Sequence, residues 1–300
     1  MRVVIALVTI FLSSVSNAGS PLVFQSDFGL RDSAVASMKG VAVGVSPELG
    51  IYDLTHEIPV FNIWEASLRL IQAADYWPKG TVFVSVVDPG VGTVRKSVVL
   101  LTKSGHYFVT PDNGTLTFVA EELGLEAVRE IDEAVNRLAN SEESYTFHGR
   151  DVYAYTGARL ASGTITFEQV GRLLPPRVVS IDYQKPAIDS GVIRGNIPIL
   201  DIQYGNVWTN IDRATFRGLG VEPGDQFDVS ITYDDTTVFE GRLAYFPTFG
   251  YVEVGEPIIY LNSLGNISLA INQGSFANTH GIASGANWSI QVKKPTVEAK

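Results

Sequence analysis

The residues best equipped for chemistry sit where β-rich runs of the chain stop. Leu22 to Ser26 leads into Asp27-Phe28-Gly29, Gly50 to Leu54 into Thr55-His56-Glu57, and Thr81 to Val87 into Asp88-Pro89-Gly90-Val91-Gly92. In α/β sheets, ligands bind outside the carboxyl ends of the strands, so three polar clusters at such ends point to a pocket. A lone Asp before Gly or Pro is an ordinary turn former; three clusters together favour a site. A fourth stretch, Thr146-Phe147-His148-Gly149-Arg150-Asp151, places a His and an Arg–Asp pair at the start of a predicted helix, where backbone N–H groups favour anionic species. The chemistry on offer is proton handling and electrostatic stabilisation.

Other chemistries lack their residues. The chain has no cysteine, which removes thiolate nucleophiles, disulfides and Cys-ligated metals. His56-Glu57 is not followed by a second His at zincin spacing, and His56, His106, His148 and His280 are scattered. No G-x-S-x-G nucleophile elbow occurs. Gly90-Val91-Gly92 lacks the third glycine of a dinucleotide fingerprint, and Arg95-Lys96-Ser97 is misplaced for a phosphate loop. No metal, nicotinamide or flavin cofactor is expected. A net charge of −10 without clustered Lys or Arg argues against nucleic acid as a partner.

The elements that must position these residues follow from periodicity. Three hundred residues suit two domains. Over residues 21–178 short apolar strands alternate with helical stretches at Ser33 to Val45, Asn62 to Trp77, Leu116 to Leu123 and Arg150 to Leu160, and a hairpin is predicted from Ser97 to Thr110. This pattern predicts an α/β layered domain with a central sheet. Residues 179–191, flanked by Pro175-Pro176 and holding Pro186 and Asp189-Ser190-Gly191, read as a linker. Residues 192–293 read as strands only: Val192 to Ile202, Gln226 to Tyr233, Thr237 to Tyr245, Pro257 to Leu261, Ile267 to Ile271 and Trp288 to Val292. They predict a small C-terminal all-β barrel, with a sandwich as the alternative.

The first 18 residues have the layout of a secretory signal peptide: a basic Met1-Arg2 start, an apolar run from Val3 to Leu12, and a small-residue end at Ser16-Asn17-Ala18. Export to a periplasmic or extracellular location is therefore expected, with no membrane association once the signal is removed. A first buried strand is the alternative reading.

Ser26-Asp27-Phe28-Gly29, Met38-Lys39-Gly40, Val87 to Thr93, Arg95, Pro111-Asp112-Asn113-Gly114, Phe147 to Asp151 and Gly205 to Ile211 occur in that order. This ordered set resembles the S-adenosylmethionine (SAM) hydroxide adenosyltransferase family, relatives of the fluorinating and chlorinating SAM enzymes, over about residues 21–293. The resemblance implies hydrolysis of SAM to adenosine and methionine, with Asp88, Arg95 and His148 holding and activating the water that attacks ribose C5′. A structural ion pair bracing the Gly-rich loop is the other reading of Asp88 and Arg95. The resemblance also implies that Asp27 takes the ribose hydroxyls and that Asp32 meets the methionine amino group. Asn113 joins the substrate-binding set; Asn206 takes the ribose or base, and Tyr204 and Trp208 surround the adenine. Trp208 is equally readable as a core aromatic. Asn262, Ser263, Asn272 and Gln273 fall in loops that hold the methionine carboxylate and the adenine edge. A homotrimer with sites shared between subunits is implied as well. In the halogenating relatives a Ser stands at the position of Gly149, a Tyr at that of Asp88 and an Arg at that of Leu264; the first two departures disfavour halogenation and the third weakens methionine-carboxylate recognition. The alternatives are an exported nucleoside- or SAM-binding protein without catalysis, and a hydrolase of another 5′-substituted adenosine.

Overall fold

The computed structural model describes residues 19–295; the expected signal segment, residues 1–18, lies outside them. The N-terminal part runs β1 (Leu22–Ser26), α1 (Ala34–Val45), β2 (Ile51–Thr55), α2 (Ile63–Ala74), β3 (Val82–Val86), β4 (Ser97–Thr102), β5 (Tyr107–Pro111), α3 (Thr117–Glu122), β6 (Leu125–Glu130), α4 (Glu133–Asn136) and α5 (Tyr155–Ala161). A π-helical stretch, Gly149–Ala154, leads directly into α5. The strands make one six-stranded sheet, ordered β2-β1-β3-β5-β4-β6. The first four are parallel, and β4 runs antiparallel to both of its neighbours.

Strand alternation divides the core between the two faces of this sheet. Leu22, Phe24, Val82, Val84, Val99 and Val109 pack with Met38 and Ala42 of α1 and Ala158 and Ala161 of α5. Val23, Phe83, Val98, Leu100 and Phe108 pack with Leu70 and Ala74 of α2 and with Leu116 and Val119 at α3. Helices cover both faces, which is why β1 and β3 are buried at every position and read as unbroken apolar runs. Among the described residues no helix is long and apolar enough to cross a membrane. β6 and α4 are elements that the patterning above leaves out.

The C-terminal part contains β7 (Ala187–Asp189), β8 (Val192–Asn196), β9 (Ile199–Asp201), β10 (Asn206–Asp212), α6 (Arg213–Arg217), β11 (Gln226–Tyr233), β12 (Thr236–Ala244), β13 (Pro257–Leu261), β14 (Asn266–Ile271), α7 (Phe276–His280) and β15 (Trp288–Lys293). They form a four-stranded sheet, β13-β14-β10-β9, and a five-stranded sheet, β12-β11-β15-β8-β7. Ile193, Val207, Ile211, Phe227, Ile231, Ile259, Leu269 and Ile290 build one core between the two sheets. No closed barrel is found among the described residues: an isolated bridge, Tyr245 to Ile259, joins the sheets at one edge. Three other expectations change here. The run Val192 to Ile202 is two strands in different sheets, because Pro198 lacks the N–H needed to continue a ladder. Asn206–Asp212 is a strand, with Val207, Thr209 and Ile211 buried in alternation. Two short helices, α6 and α7, stand in a region expected to hold strands only.

The stretch expected to be a linker, residues 179–191, contains β7, which pairs with β8, and its earlier part is strapped to the α/β domain. Val179 N donates to Asp112 Oδ1 at 2.8 Å, Ile181 N to Thr117 Oγ1 at 3.1 Å, and Lys185 pairs with Glu121 at 2.6 Å. The two parts also meet directly: Trp64 Nε1 donates to the Pro198 carbonyl at 2.7 Å, and Trp64, Leu68, Phe118 and Ile199 form a shared apolar cluster.

Candidate active site

Parallel pairing of β1 with β3 sets Ser26 opposite Val86, so the next residues, Asp27 on one strand and Val87-Asp88 on the other, leave the sheet side by side. Asp27, Phe28, Val60, Phe61, Asp88, Val91, Phe147, His148 and Gly149 are among the residues lining a cavity of about 250 Å³ at this edge. Asp27 Oδ2 accepts the backbone N–H of Phe61 at 2.9 Å. Arg95 returns to Asp88 through two tight turns, closed by Val91 N to Asp88 O at 3.2 Å and Thr93 N to Gly90 O at 3.1 Å. Gly92 has φ +75°, and a Cβ there would lie 3.1 Å from the Tyr145 carbonyl, so this loop needs glycine.

Arg95 grips Asp88 with both ends of its fork: Nε donates to Oδ1 at 2.8 Å and Nη2 to Oδ2. Arg95 Nη2 also lies 3.0 Å from Nδ1 of the buried His148, so the three residues expected to handle water form one connected group. The Asp88 and Arg95 side chains are 5% and 11% exposed. Burial disfavours the Arg95 charge, but the hydrogen bonds to Asp88 and the surrounding negative charge raise its pKa above the ordinary value. Burial holds His148 below the usual histidine range; Arg95 and Arg137 push the same way, against Glu133 and Asp88.

Three further residues complete this network. Tyr153, fully buried in the π-helical stretch, has its hydroxyl 3.1 Å from Ser97 Oγ and 3.5 Å from Asp88 Oδ2, and burial followed by the Asp88 charge pushes its pKa up. Ser97 accepts Arg95 Nη1 at 3.1 Å. Arg137 Nη2 lies 3.1 Å from His148 Nε2. Tyr153 follows the Thr146–Asp151 stretch by two residues and could have been found from it. Arg137 had no such signal, since with Glu133 it reads as an ordinary surface helix pair.

The cluster around His56 braces the site and does not line this cavity. His56 Nδ1 meets the buried Ser26 Oγ at 2.7 Å, its Nε2 meets Asp53 Oδ1 at 3.1 Å, and its carbonyl accepts Gly29 N at 2.8 Å. Two expected binding residues also act locally. Asp32 is exposed and accepts the Ala34 N–H at the start of α1, at 2.8 Å. Asn113 donates to the Val87 carbonyl at 2.9 Å and accepts from Thr115 Oγ1 at 2.8 Å. Neither lines the 250 Å³ cavity.

The remaining expected residues meet in the C-terminal part. Tyr204, Asn206, Trp208, Asn262, Ser263, Asn272 and Gln273 all line one groove of about 740 Å³. β10 supplies Asn206 and Trp208, the turn from β9 to β10 supplies Tyr204, and the loops after β13 and β14 hold the others. Asn206 Nδ2 donates to Asp201 Oδ2 at 3.2 Å. Asn262 is already used within its turn: it accepts Leu264 N at 2.9 Å and donates to Ser268 Oγ at 3.0 Å. Trp208 packs against the cluster of Trp64 and Ile199 and also lines the groove.

This architecture defines a class: a three-layer α/β domain carrying an Asp–Arg–His group at the carboxyl ends of its parallel strands, followed by a two-sheet β domain with an aromatic, amide-rich groove. The chain belongs to the SAM hydroxide adenosyltransferase family: residues 22–171 match the family's N-terminal domain and residues 195–289 its C-terminal domain. It is 34% identical over 271 residues to the (R)-S-adenosyl-L-methionine hydrolase of Thermus thermophilus, covering 88% of this chain and 97% of that one. It is 30% identical over 298 residues to the fluorinase of an Actinoplanes species, covering 91% and 98%. The structure is similar to that of an uncharacterised conserved protein from Thermotoga maritima, with a TM-score of 0.81 and 36% identity over 91% of this chain and all of that one.

Proposed function

We propose that this protein hydrolyses S-adenosylmethionine to adenosine and methionine. The observation that carries this reading is the connected Asp88–Arg95–His148 group opening on the same cavity as Asp27. A water oxygen forms the new bond to C5′ as the C5′–S bond breaks, and its electron pair makes the sulfonium a neutral thioether. The leaving group therefore needs no proton. The water must lose one, and the Asp88 carboxylate beside the cavity is the acceptor. Arg95 holds that carboxylate in place and offsets its charge. The hydrolase-named relative supports the same reaction.

The fluorinase-named relative supports a second reading, attack by halide. Two features favour water. An anionic halide has no proton to give Asp88 and is repelled by its charge. A side chain at 149 would be crowded, since a Cβ there would lie 3.1 Å from Val86 and 3.2 Å from the Phe28 ring. The test is incubation with SAM in heavy-oxygen water containing fluoride or chloride. Adenosine labelled at the 5′ oxygen is expected; a 5′-halogenated nucleoside would overturn the assignment.

The same reading includes a homotrimer in which the cavity of one subunit faces the groove of the next. It is supported by the separation within one chain, where the 250 Å³ cavity and the 740 Å³ groove share no lining residue.

A further inference from the structure

His148 lies between two guanidiniums. Arg95 Nη2 is 3.0 Å from its Nδ1, and Arg137 Nη2 is 3.1 Å from its Nε2. Each of these Arg nitrogens also donates to a carboxylate, Arg95 to Asp88 and Arg137 to Glu133 at 2.8 Å. A guanidinium only donates, and an imidazolium donates from both ring nitrogens. A protonated His148 would therefore set N–H against N–H on both sides, whereas the neutral ring can accept from one arginine. The ring is buried and the Arg137 side chain is 5% exposed, so bulk water does little to screen these charges.

We propose that Arg137 is a positioning residue of this site: with Arg95 it keeps His148 a neutral imidazole in a fixed orientation, so that no added positive charge competes beside the Asp88 carboxylate that takes the proton of the attacking water. The proposal rests on the reading of Asp88, Arg95 and His148 as the water-handling group. A neutral ring between two Arg–carboxylate pairs carries no net charge, and one added proton would leave an uncompensated buried cation. The charged and titratable groups facing the ring are Asp88 and Arg95 from the loop after β3, and Glu133 and Arg137 from α4 and the residue after it. Tyr153 of the π-helical stretch and Tyr145 of the preceding loop set their rings 6.5 and 6.1 Å away. Arg137 is itself fixed by the carbonyls of Ser141 and Ser144, each at 3.3 Å, and by the Tyr145 ring, 4.9 Å from its guanidinium. The lowered pKa of His148 agrees with this charge arrangement.

The experiment is a titration of the imidazole signals of the whole protein by NMR, with His148 assigned by His148→Gln. It compares wild type with Arg137→Gln, Arg137→Lys and Glu133→Gln. The His148 midpoint is expected to rise in Arg137→Gln, to rise less in Arg137→Lys and to fall in Glu133→Gln. A loosened fold would not move the two charge removals in opposite directions. In turnover, the acid limb of Arg137→Gln moves to higher pH, so the ratio of rates at about pH 8 and about pH 6 rises several-fold. Equal midpoints in all four proteins, or a wild-type His148 that titrates in the ordinary range, would overturn the proposal. The NMR signal reads the ring directly, so it decides the role of Arg137 even if SAM is not cleaved. Failure of the hydrolase reading is seen separately, as wild-type protein that forms no adenosine while these NMR shifts are still present.

Discussion

Asp27 and Asp88 leave neighbouring strands and line one cavity, yet their partners assign them different work. Both Asp88 oxygens are engaged by Arg95, within the group proposed to handle the attacking water. One Asp27 oxygen accepts the Phe61 N–H, and the residue lines the cavity. Asp88→Asn should leave SAM affinity nearly unchanged and lower turnover by about 10² to 10⁴, since it removes a group acting mainly in the transition state. Asp27→Asn keeps one acceptor and gains a donor. Its oxygen will take the Phe61 N–H and leave the NH₂ facing the ribose hydroxyls, so affinity should fall about ten- to hundredfold before the rate does. Calorimetric affinity measured beside turnover for each variant checks both. The opposite pattern would mean that the two roles are exchanged.

At the scale of elements, the site depends on how closely α5 and the π-helical stretch approach the sheet. Gly157 lies in α5, and a Cβ there would sit 2.4 Å from Val84 and 3.4 Å from Leu22. Helix propensity favours Ala over Gly by about 1 kcal/mol, while overpacking a close contact costs about 1–3 kcal/mol. Gly157→Ala should therefore destabilise the protein. Gly40 of α1 has open space around it, so Gly40→Ala should stabilise it by up to about 1 kcal/mol. Urea midpoints with opposite signs are expected; a stabilised Gly157→Ala would mean that the sheet yields. The legibility of the site follows the same geometry. Asp27 and Asp88 could be read because a buried strand followed by a polar, glycine-containing turn is a local pattern, whereas Arg95 was marked only by the family resemblance. The split at Pro198 carried a signal that reading Val192 to Ile202 as one strand passes over, since a proline interrupts a ladder. β10 was harder to see because polar Asn206, Thr209 and Asn210 interrupt its apolar alternation. The π-helical turn has no compositional mark. The contact from Arg137 to His148 depends on two loops meeting, which no spacing encodes.

At the scale of the molecule, the residues proposed to act on one SAM are divided between two places. Asp27, Asp88 and His148 line the cavity of the α/β domain, while Tyr204, Asn206 and Trp208 line the groove of the β domain. Exposed apolar residues accompany both, with Val60 and Phe61 at the first and Tyr204 and Phe249 at the second. In the proposed trimer, contact between the α/β domain of one subunit and the β domain of the next is heterologous, and such contacts close into a ring. This arrangement can be tested by complementation. Asp88→Asn damages only the cavity, and Asn206→Ala only the groove, so each homo-oligomer should be nearly inactive. Co-expressed in equal amounts and assembled at random, the two chains pair an intact cavity with an intact groove at about one interface in four, and turnover should return to about a quarter of wild type. Mixing the separately purified variants without exchange of subunits should restore nothing. If co-expression also restores nothing while light scattering shows mixed oligomers, each site is completed within one chain, and the cavity and groove must then come together by a movement of its two domains.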